Sequence, residues 1–95
     1  MEPAALRDAL AELARECGVS VRVLRGGAEA APGLVSGPAL VRGAPWIVLL
    51  ASDPPRAQID ALARGLLRFA RPALDARFLP PALREALDRA DGRQP

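Results

Sequence analysis

Apolar residues in the first part of the chain recur at helical spacing. They are Leu6, Leu10, Leu13 and Cys17. Steps of three and four positions place all of them on one face of a helix, the pattern of a helix that buries one side. Pro3 suits the first turn of a helix and Gly18 suits the position just past its end, so the pattern predicts a helix over residues 3–17.

The period changes to two in the next segment. Residues 19–24 carry valine at every second position, which predicts a strand that ends at Gly26-Gly27. Residues 28–37 are rich in alanine, proline and glycine, and they predict a loop with a short extended piece at residues 34–35.

Two more strands are predicted, over residues 39–42 and 46–51, with a turn over residues 42–45 between them. Pro45 has no backbone N–H, so it belongs at the start of the second of these strands or on a sheet edge. All six residues of 46–51 are apolar, which is typical of a strand covered on both faces.

The second long helix has a clear start. Asp53 precedes a proline and is therefore biased toward the extended conformation of an N-cap residue, and Pro54 then takes the first helical position. The helix is predicted to run to about Phe69, with one apolar face formed by Ile59, Leu62, Ala63, Leu66, Leu67 and Ala70. Gly65 on this helix either costs about 1 kcal/mol relative to alanine or permits close packing on a neighbour.

A shorter helix ends the chain. Pro72 is predicted to break the second helix, and residues 78–81 begin the last one. Its apolar stripe consists of Leu83, Ala86, Leu87 and Ala90. The order α-β-β-β-α-α predicts one α+β domain over residues 1–91, a small three-stranded antiparallel or mixed sheet with helices packed on one side. Residues 92–95 are predicted to be a frayed tail.

Composition removes several kinds of chemistry. The chain of 95 residues has no His, no Lys and one Cys, which excludes an imidazole base, a Schiff-base lysine, an internal disulfide and a multi-cysteine zinc site. We therefore expect no metal and no cofactor. The net charge of +2 is too small to indicate nucleic acid by itself. No stretch approaches the roughly 20 apolar residues of a membrane span, and no signal peptide is evident, so a cytoplasmic protein is expected.

The remaining nucleophiles and acids have simpler explanations than catalysis. Cys17 lies on the apolar stripe of the first helix and is expected to be a buried structural cysteine. The three serines have no His or Lys to activate them. The four carboxylates considered as acids or bases are explained by helix capping and solvated faces: Asp53, Asp60, Asp75 and Glu85.

Arginines form one pattern on the second helix. Arg64, Arg68 and Arg71 stand at positions i, i+4 and i+7, which predicts a positive ridge beside the apolar face. A solvated helix face is the simple interpretation. The alternative is a dock for phosphate or for an acidic partner.

The layout resembles the minimal core of the ImmA/IrrE-type zinc metallopeptidases over roughly residues 4–70. Gly26-Gly27, the apolar run from Trp46 and the helix from Pro54 look like that family's landmarks, a Gly-Gly turn, an apolar strand and a helix bearing His-Glu-x-x-His. In the best register the two histidine positions are Ala63 and Leu67, and the glutamate position is Arg64. The resemblance therefore implies a degenerate, metal-less and catalytically dead shell.

These observations favour binding over catalysis. We expect a non-enzymatic protein–protein interaction or self-assembly module, most simply a homodimer or a hetero-complex that covers the third strand. An enzyme that needs only carboxylates and arginine ranks last. Nucleic-acid binding through the arginine ridge is the alternative. The residues predicted to bind a partner are Trp46, Val48, Leu50, Arg22, Arg64, Arg68 and Arg71.

Overall fold

A computed structural model describes residues 1–25 and 35–92. Its elements follow the predicted order: α1 (Pro3–Glu16), β1 (Ser20–Leu24), β2 (Gly37–Val41), β3 (Ala44–Leu50), α2 (Pro55–Asp75) and α3 (Pro81–Ala90). The predicted α+β class is thus confirmed. The predicted Gly26-Gly27 strand end, residues 28–34 of the predicted loop and residues 93–95 of the tail lie outside the described residues.

The sheet is mixed, one of the two arrangements that the sequence allowed. The apolar strand β3 lies in the centre, with β1 parallel to it on one side and β2 antiparallel to it on the other. Trp46 of β3 is opposite Ser20 of β1 and Ala39 of β2. Both β1 and β2 are therefore edge strands.

A tight hairpin joins β2 and β3. Arg42 and Gly43 both have positive φ, at 52° and 81°, which is the backbone of a two-residue type I′ turn. The turn is shorter than the predicted residues 42–45, because Ala44 and Pro45 already belong to β3. Pro45 lies one residue before β1 begins to pair with β3, so no N–H is needed at this position for that pairing.

The turn offers a stabilising substitution. Arg42 has a left-handed backbone that is costly for most L-residues, whereas Asn tolerates it and Asn-Gly is the favoured type I′ pair. We expect Arg42→Asn to raise the free energy of unfolding by roughly 0.5–1 kcal/mol in urea denaturation. Arg42→Ala removes the same guanidinium but keeps the unfavourable conformation, so an equal gain from Arg42→Ala would contradict this explanation.

All three helices lie on one side of the sheet. Helix α2 packs closely on β3, where Gly65 faces the side chain of Ile47. Helix α1 lies beside it and covers Val21 and Leu49. Helix α3 packs on α1 and α2 and not on the described strands. The hydrophobic core therefore fills the space between one sheet face and the helices.

The predicted core residues at the centres of the helix faces are buried, whereas others, among them Ile59, Leu67 and Cys17, are only half-buried. Leu62 and Leu66 are fully buried and Leu13 retains 5% of its exposed surface. Ile59 is only half-buried, because it lines a groove at the surface between the start of α2 and the end of α3. Cys17, expected to be buried, is also half-buried, because it caps the C-terminus of α1 and does not face the centre of the core.

Helix α2 differs from its prediction at both ends. Its N-cap residue is Pro54 and not Asp53, because the Asp53 carboxylate accepts a hydrogen bond from Ser36 Oγ at 2.7 Å. Past Phe69 the chain kinks at Ala70 (φ −136°, ψ 22°) and then continues as helix to Asp75, with Pro72 inside. Pro72 thus follows the kink and lies in the next turn, where a missing N–H is tolerated.

The last helix also begins later than predicted. Helix α3 starts at Pro81 with Pro80 as its N-cap residue, so Phe78 and Leu79 belong to the connection from α2. Leu79 is buried, whereas the Phe78 side chain is 89% exposed.

Candidate docking surface

The second face of the sheet is apolar and uncovered by any helix of the described part of the chain. Trp46, Val48 and Leu50 of β3 point to this face and remain half-buried. Ile47 and Leu49 point to the helices and keep 0% and 2% of their exposed surface. The register adds Ser20, Arg22 and Leu24 from β1 and Gly37, Ala39 and Val41 from β2 to the same face. We call these nine residues the open face.

One charged side chain lies on the open face. The guanidinium of Arg22 stacks over the indole of Trp46, with its carbon 4.9 Å from the ring centroid. This cation–π contact keeps the long side chain along the sheet surface. Although β1 is an edge strand, this contact places the charge over Trp46 toward the start of the central strand and leaves Val48 and Leu50 as the apolar part of β3 on this face.

The arginine ridge is on a different surface and is largely neutralised. Arg64 Nε is 2.7 Å from Asp60 Oδ2, and the Arg71 guanidinium bonds Asp91 with its closest contact at 3.0 Å. The hydrogen bond to Asp91 raises the pKa of Arg71 above its usual value.

The third member of the ridge contacts an aromatic ring, since Arg68 lies 5.2 Å from the ring centroid of Phe69. The kink at Ala70 separates Arg68 from Arg71. The ridge therefore does not form one continuous positive surface. Helix α2 packs on the other side of the sheet, and of the three arginines Arg64 extends to the start of β2, where its guanidinium nitrogens are 3.8 and 3.9 Å from the Cβ position of Gly37.

A buried polar network at the end of β3 was not predicted. Ser36 Oγ donates to Asp53 and accepts from the backbone N–H of Leu50 at 2.9 Å. The side-chain amide of Gln58 donates to the Leu50 carbonyl at 2.7 Å. Ser36 and Gln58 each retain 5% exposure. The partners are 8 to 17 positions apart in the sequence, so no local pattern could have revealed them.

Two arginines extend this hydrogen-bond network. Arg7 donates to the Gln58 side-chain oxygen at 3.1 Å, and Arg64 donates to the Ser36 carbonyl at 3.4 Å. The described residues contain no buried side-chain nitrogen or oxygen that lacks a hydrogen-bond partner. Because each of these buried groups has a partner, the network holds the start of β2 against the end of β3.

The positions that the metallopeptidase resemblance assigns to metal ligands hold no donor atoms. Ala63 is fully buried in the core and Leu67 is half-buried, while the Arg64 guanidinium at the glutamate position pairs with Asp60. Within residues 1–25 and 35–92, no group of three or more His, Cys, Asp or Glu side chains is placed to hold a metal ion.

The chain has no matching relatives in the comparisons with known proteins. No protein-family model, no curated protein and no solved structure matches it. Among the described residues, no helix combines the length and the apolar character that crossing a membrane requires.

Proposed function

We propose that this chain is a non-catalytic interaction module that associates with a second copy of itself through the open face. One observation carries the proposal: Trp46, Val48 and Leu50 of the central strand stay partly exposed on a face that no described helix covers. A contiguous apolar patch on a small soluble domain is typical of an interaction site.

The distribution of charge on the open face favours a second copy as the partner. Along β3 the face is apolar at Val48 and Leu50, and its single charge, on Arg22, lies over the Trp46 indole toward the start of that strand. A two-fold axis near Leu50 would place the apolar ends of the two β3 strands on each other, and both guanidiniums, which lie toward the starts of the strands, would be away from the centre of the contact. An apolar centre with a polar rim is the usual anatomy of an interface, and two sheets pack face to face in this way.

The size of the face sets the expected affinity. Three strands spaced about 4.8 Å apart give a narrow face, smaller than the roughly 800 Å² per partner of a standard interface. The proposed dimer is therefore weak, with a dissociation constant in the micromolar range or above.

Sedimentation equilibrium between about 5 and 500 μM tests the proposal, because this range brackets such a dissociation constant. We expect the average mass to rise from the 10.0 kDa monomer toward the dimer. Val48→Glu should abolish the rise, since it places a charge at the centre of the face. The matched control is Leu40→Glu, which changes an exposed apolar residue of β2 (58% exposed) on the other side of the sheet. A monomer at all concentrations, or equal effects of both variants, would contradict the proposal.

Nucleic-acid binding through Arg64, Arg68 and Arg71 has less support, because two of the three guanidiniums already have carboxylate partners. A gel-shift titration with duplex DNA at several salt concentrations distinguishes the two functions. Affinity that falls steeply with salt and is lost in Arg68→Ala would favour the nucleic-acid function.

The same proposal includes descent from a zincin-like core. The support is the order of helix, strand, hairpin and helix, together with the burial of Ala63 at a position where that family carries a histidine. Such a chain would have kept the shell of the enzyme and lost its metal.

A further inference from the structure

The outer edge of β1 has backbone groups that no described strand uses. The Leu24 carbonyl accepts a hydrogen bond from Ala51 N–H at 2.8 Å, so the N–H and C=O groups of Leu24 point toward β3. These groups point to alternate sides of a strand from one residue to the next, and those of Val21 and Val23 therefore point outward, away from β3. Val23 is also 51% exposed.

The opposite edge of the sheet is protected. The two-residue hairpin pairs Val41 with Ala44 next to the turn, and alternation from that pair turns the backbone nitrogen of Pro38 outward. Proline has no N–H to donate there, a common device that prevents strand addition. No proline lies in β1, so β1 is the edge that can accept another strand.

A groove runs along this edge, between β1 and α1. Its volume is about 470 Å³. Val21, Val23 and Leu49 supply apolar lining from the sheet, and the polar lining comes from Arg7, Asp8, Glu12, Arg15, Arg25 and Gln58. Side chains of an added strand that lie opposite Val21 and Val23 would enter this groove, because directly opposed residues share one face of a sheet.

We propose that β1 and this groove bind an extended segment of a partner protein by β-strand addition, with apolar and acidic residues alternating along the segment. The apolar side chains enter the groove beside Val21 and Val23. The acidic side chains lie on the other face, next to Arg22, which has no salt-bridge partner among the described residues. Backbone hydrogen bonds supply affinity and the alternate side chains supply specificity, as in other strand-addition sites.

A second copy of β1 fits this edge poorly in the three antiparallel registers that pair most of the strand and keep the faces matched. One register places Arg22 directly opposite its own copy, where like charges repel. The next register, centred on Val23, inserts Arg25 of each copy into a groove lined by three arginines, Arg7, Arg15 and Arg25. The two carboxylates of the lining, Asp8 and Glu12, already pair with Arg7 and Arg15.

In the third register, centred on Val21, Val19 would lie opposite Val23 of the copy, and its N–H would have to donate a hydrogen bond to that strand. That N–H already donates to the Ala14 carbonyl at 2.9 Å. The occupant is therefore a different chain. Its backbone contacts and its groove lie outside the open face, and Arg22 is the one residue that this site shares with the proposed dimer.

Synthetic capped octapeptides test the site, because they allow the charge of the side chains and their order along the peptide to be changed separately. The first contains alternating Val and Glu, the second alternating Val and Lys, and the third the Val and Glu residues in two blocks. Titration calorimetry should give the Val/Glu peptide an affinity roughly tenfold above those of the other two. Arg22→Glu should reverse the preference to the Val/Lys peptide, and Arg22→Gln should remove it. Equal binding of the three peptides, or no binding, would overturn the proposal.

N-methylated peptides test the backbone contacts. In the favoured antiparallel addition the Val residues of the peptide direct their N–H groups to β1, so methylation of the Val nitrogens should weaken binding by roughly tenfold. Methylation of the Glu nitrogens serves as the matched control and should leave binding unchanged. Equal effects of the two modifications would show that the peptide does not add to the sheet.

Hydrogen exchange locates the contact in the protein. The peptide should slow exchange at the outward N–H groups of Val21 and Val23 and leave Arg22 and Leu24 unchanged, since their N–H groups already face β3. If exchange at Val21 and Val23 became slower as the protein concentration rose in the absence of peptide, a second copy of this chain would be the occupant. That result would overturn the assignment of the edge to a different chain. Slower exchange confined to Val48 and its neighbours would place the peptide on the open face and overturn the site.

Discussion

Leu66→Ala is expected to lower the free energy of unfolding by about 2–5 kcal/mol, the range for a leucine truncated in a packed core. Leu66 lies on the face of α2 that packs on the sheet and has 0% of its surface exposed. The loss combines the transfer free energy of the removed methyl groups with the cost of the cavity left behind. Because a domain of this size has a total stability of about 5–10 kcal/mol, the variant should be partly unfolded near room temperature in modest urea.

Leu67→Ala is the matched control. It removes the same atoms from the next residue, but Leu67 is half-buried at the edge of the core. Urea denaturation followed by circular dichroism should give it a clearly smaller loss than Leu66→Ala. Equal losses would show that the buried face of α2 is assigned wrongly, and an unchanged midpoint for Leu66→Ala would contradict the core described above.

Local periodicity predicted the elements well, because a helix or strand that buries one face carries apolar residues at regular intervals. The steps of three and four in α1 and α2 correctly placed Leu13, Leu62 and Leu66 in the core. Period two in residues 19–24 correctly gave β1. These patterns depend only on which side of an element meets the core, so they need no knowledge of the partner element.

Contacts between distant residues account for the main errors. Asp53 had every local feature of an N-cap residue, yet its carboxylate bonds Ser36, which is 17 positions away. The spacing of Arg71 predicts a place in a positive ridge, but its guanidinium pairs with Asp91, which is 20 positions away. The partner of Arg64, by contrast, is Asp60 at i−4, and the sequence alone could have revealed that pair.

Only part of the candidate docking surface could be predicted from the sequence. The run from Trp46 to Leu50 showed that both faces of β3 are apolar. The run alone does not show which of the two faces the helices cover. The structure assigns Ile47 and Leu49 to the helices and leaves Trp46 and Val48 on the open face. The free edge of β1 was also hidden, because it depends on the strand order β1-β3-β2.

Gly65 carries the second large expected effect. Helix propensity alone predicts that Gly65→Ala in the middle of a helix stabilises the protein by about 1 kcal/mol. The structure predicts the opposite sign, because a Cβ on Gly65 would lie 2.6 Å from Ile47 Cδ1 and would also clash with Ile47 Cγ1. The position of Gly65 is buried and Ile47 is 0% exposed, so neither the added methyl group nor the Ile47 side chain can move into solvent. We expect Gly65→Ala to lower the free energy of unfolding by about 1–3 kcal/mol, as overpacking of a core does.

A double-mutant cycle separates this clash from any other effect of the substitution. Ile47→Ala removes Cγ1 and Cδ1, the two atoms that the new Cβ would meet, and is itself destabilising because it leaves a cavity. In that background Gly65→Ala no longer meets an obstacle and fills part of the cavity, so it should be neutral or stabilising by up to about 1 kcal/mol. The two substitutions are in contact, and their coupling free energy in urea denaturation should therefore exceed about 1 kcal/mol in the favourable direction. A coupling near zero, with Gly65→Ala equally destabilising in both backgrounds, would mean that the close approach of α2 to β3 at Gly65 does not determine the need for glycine there.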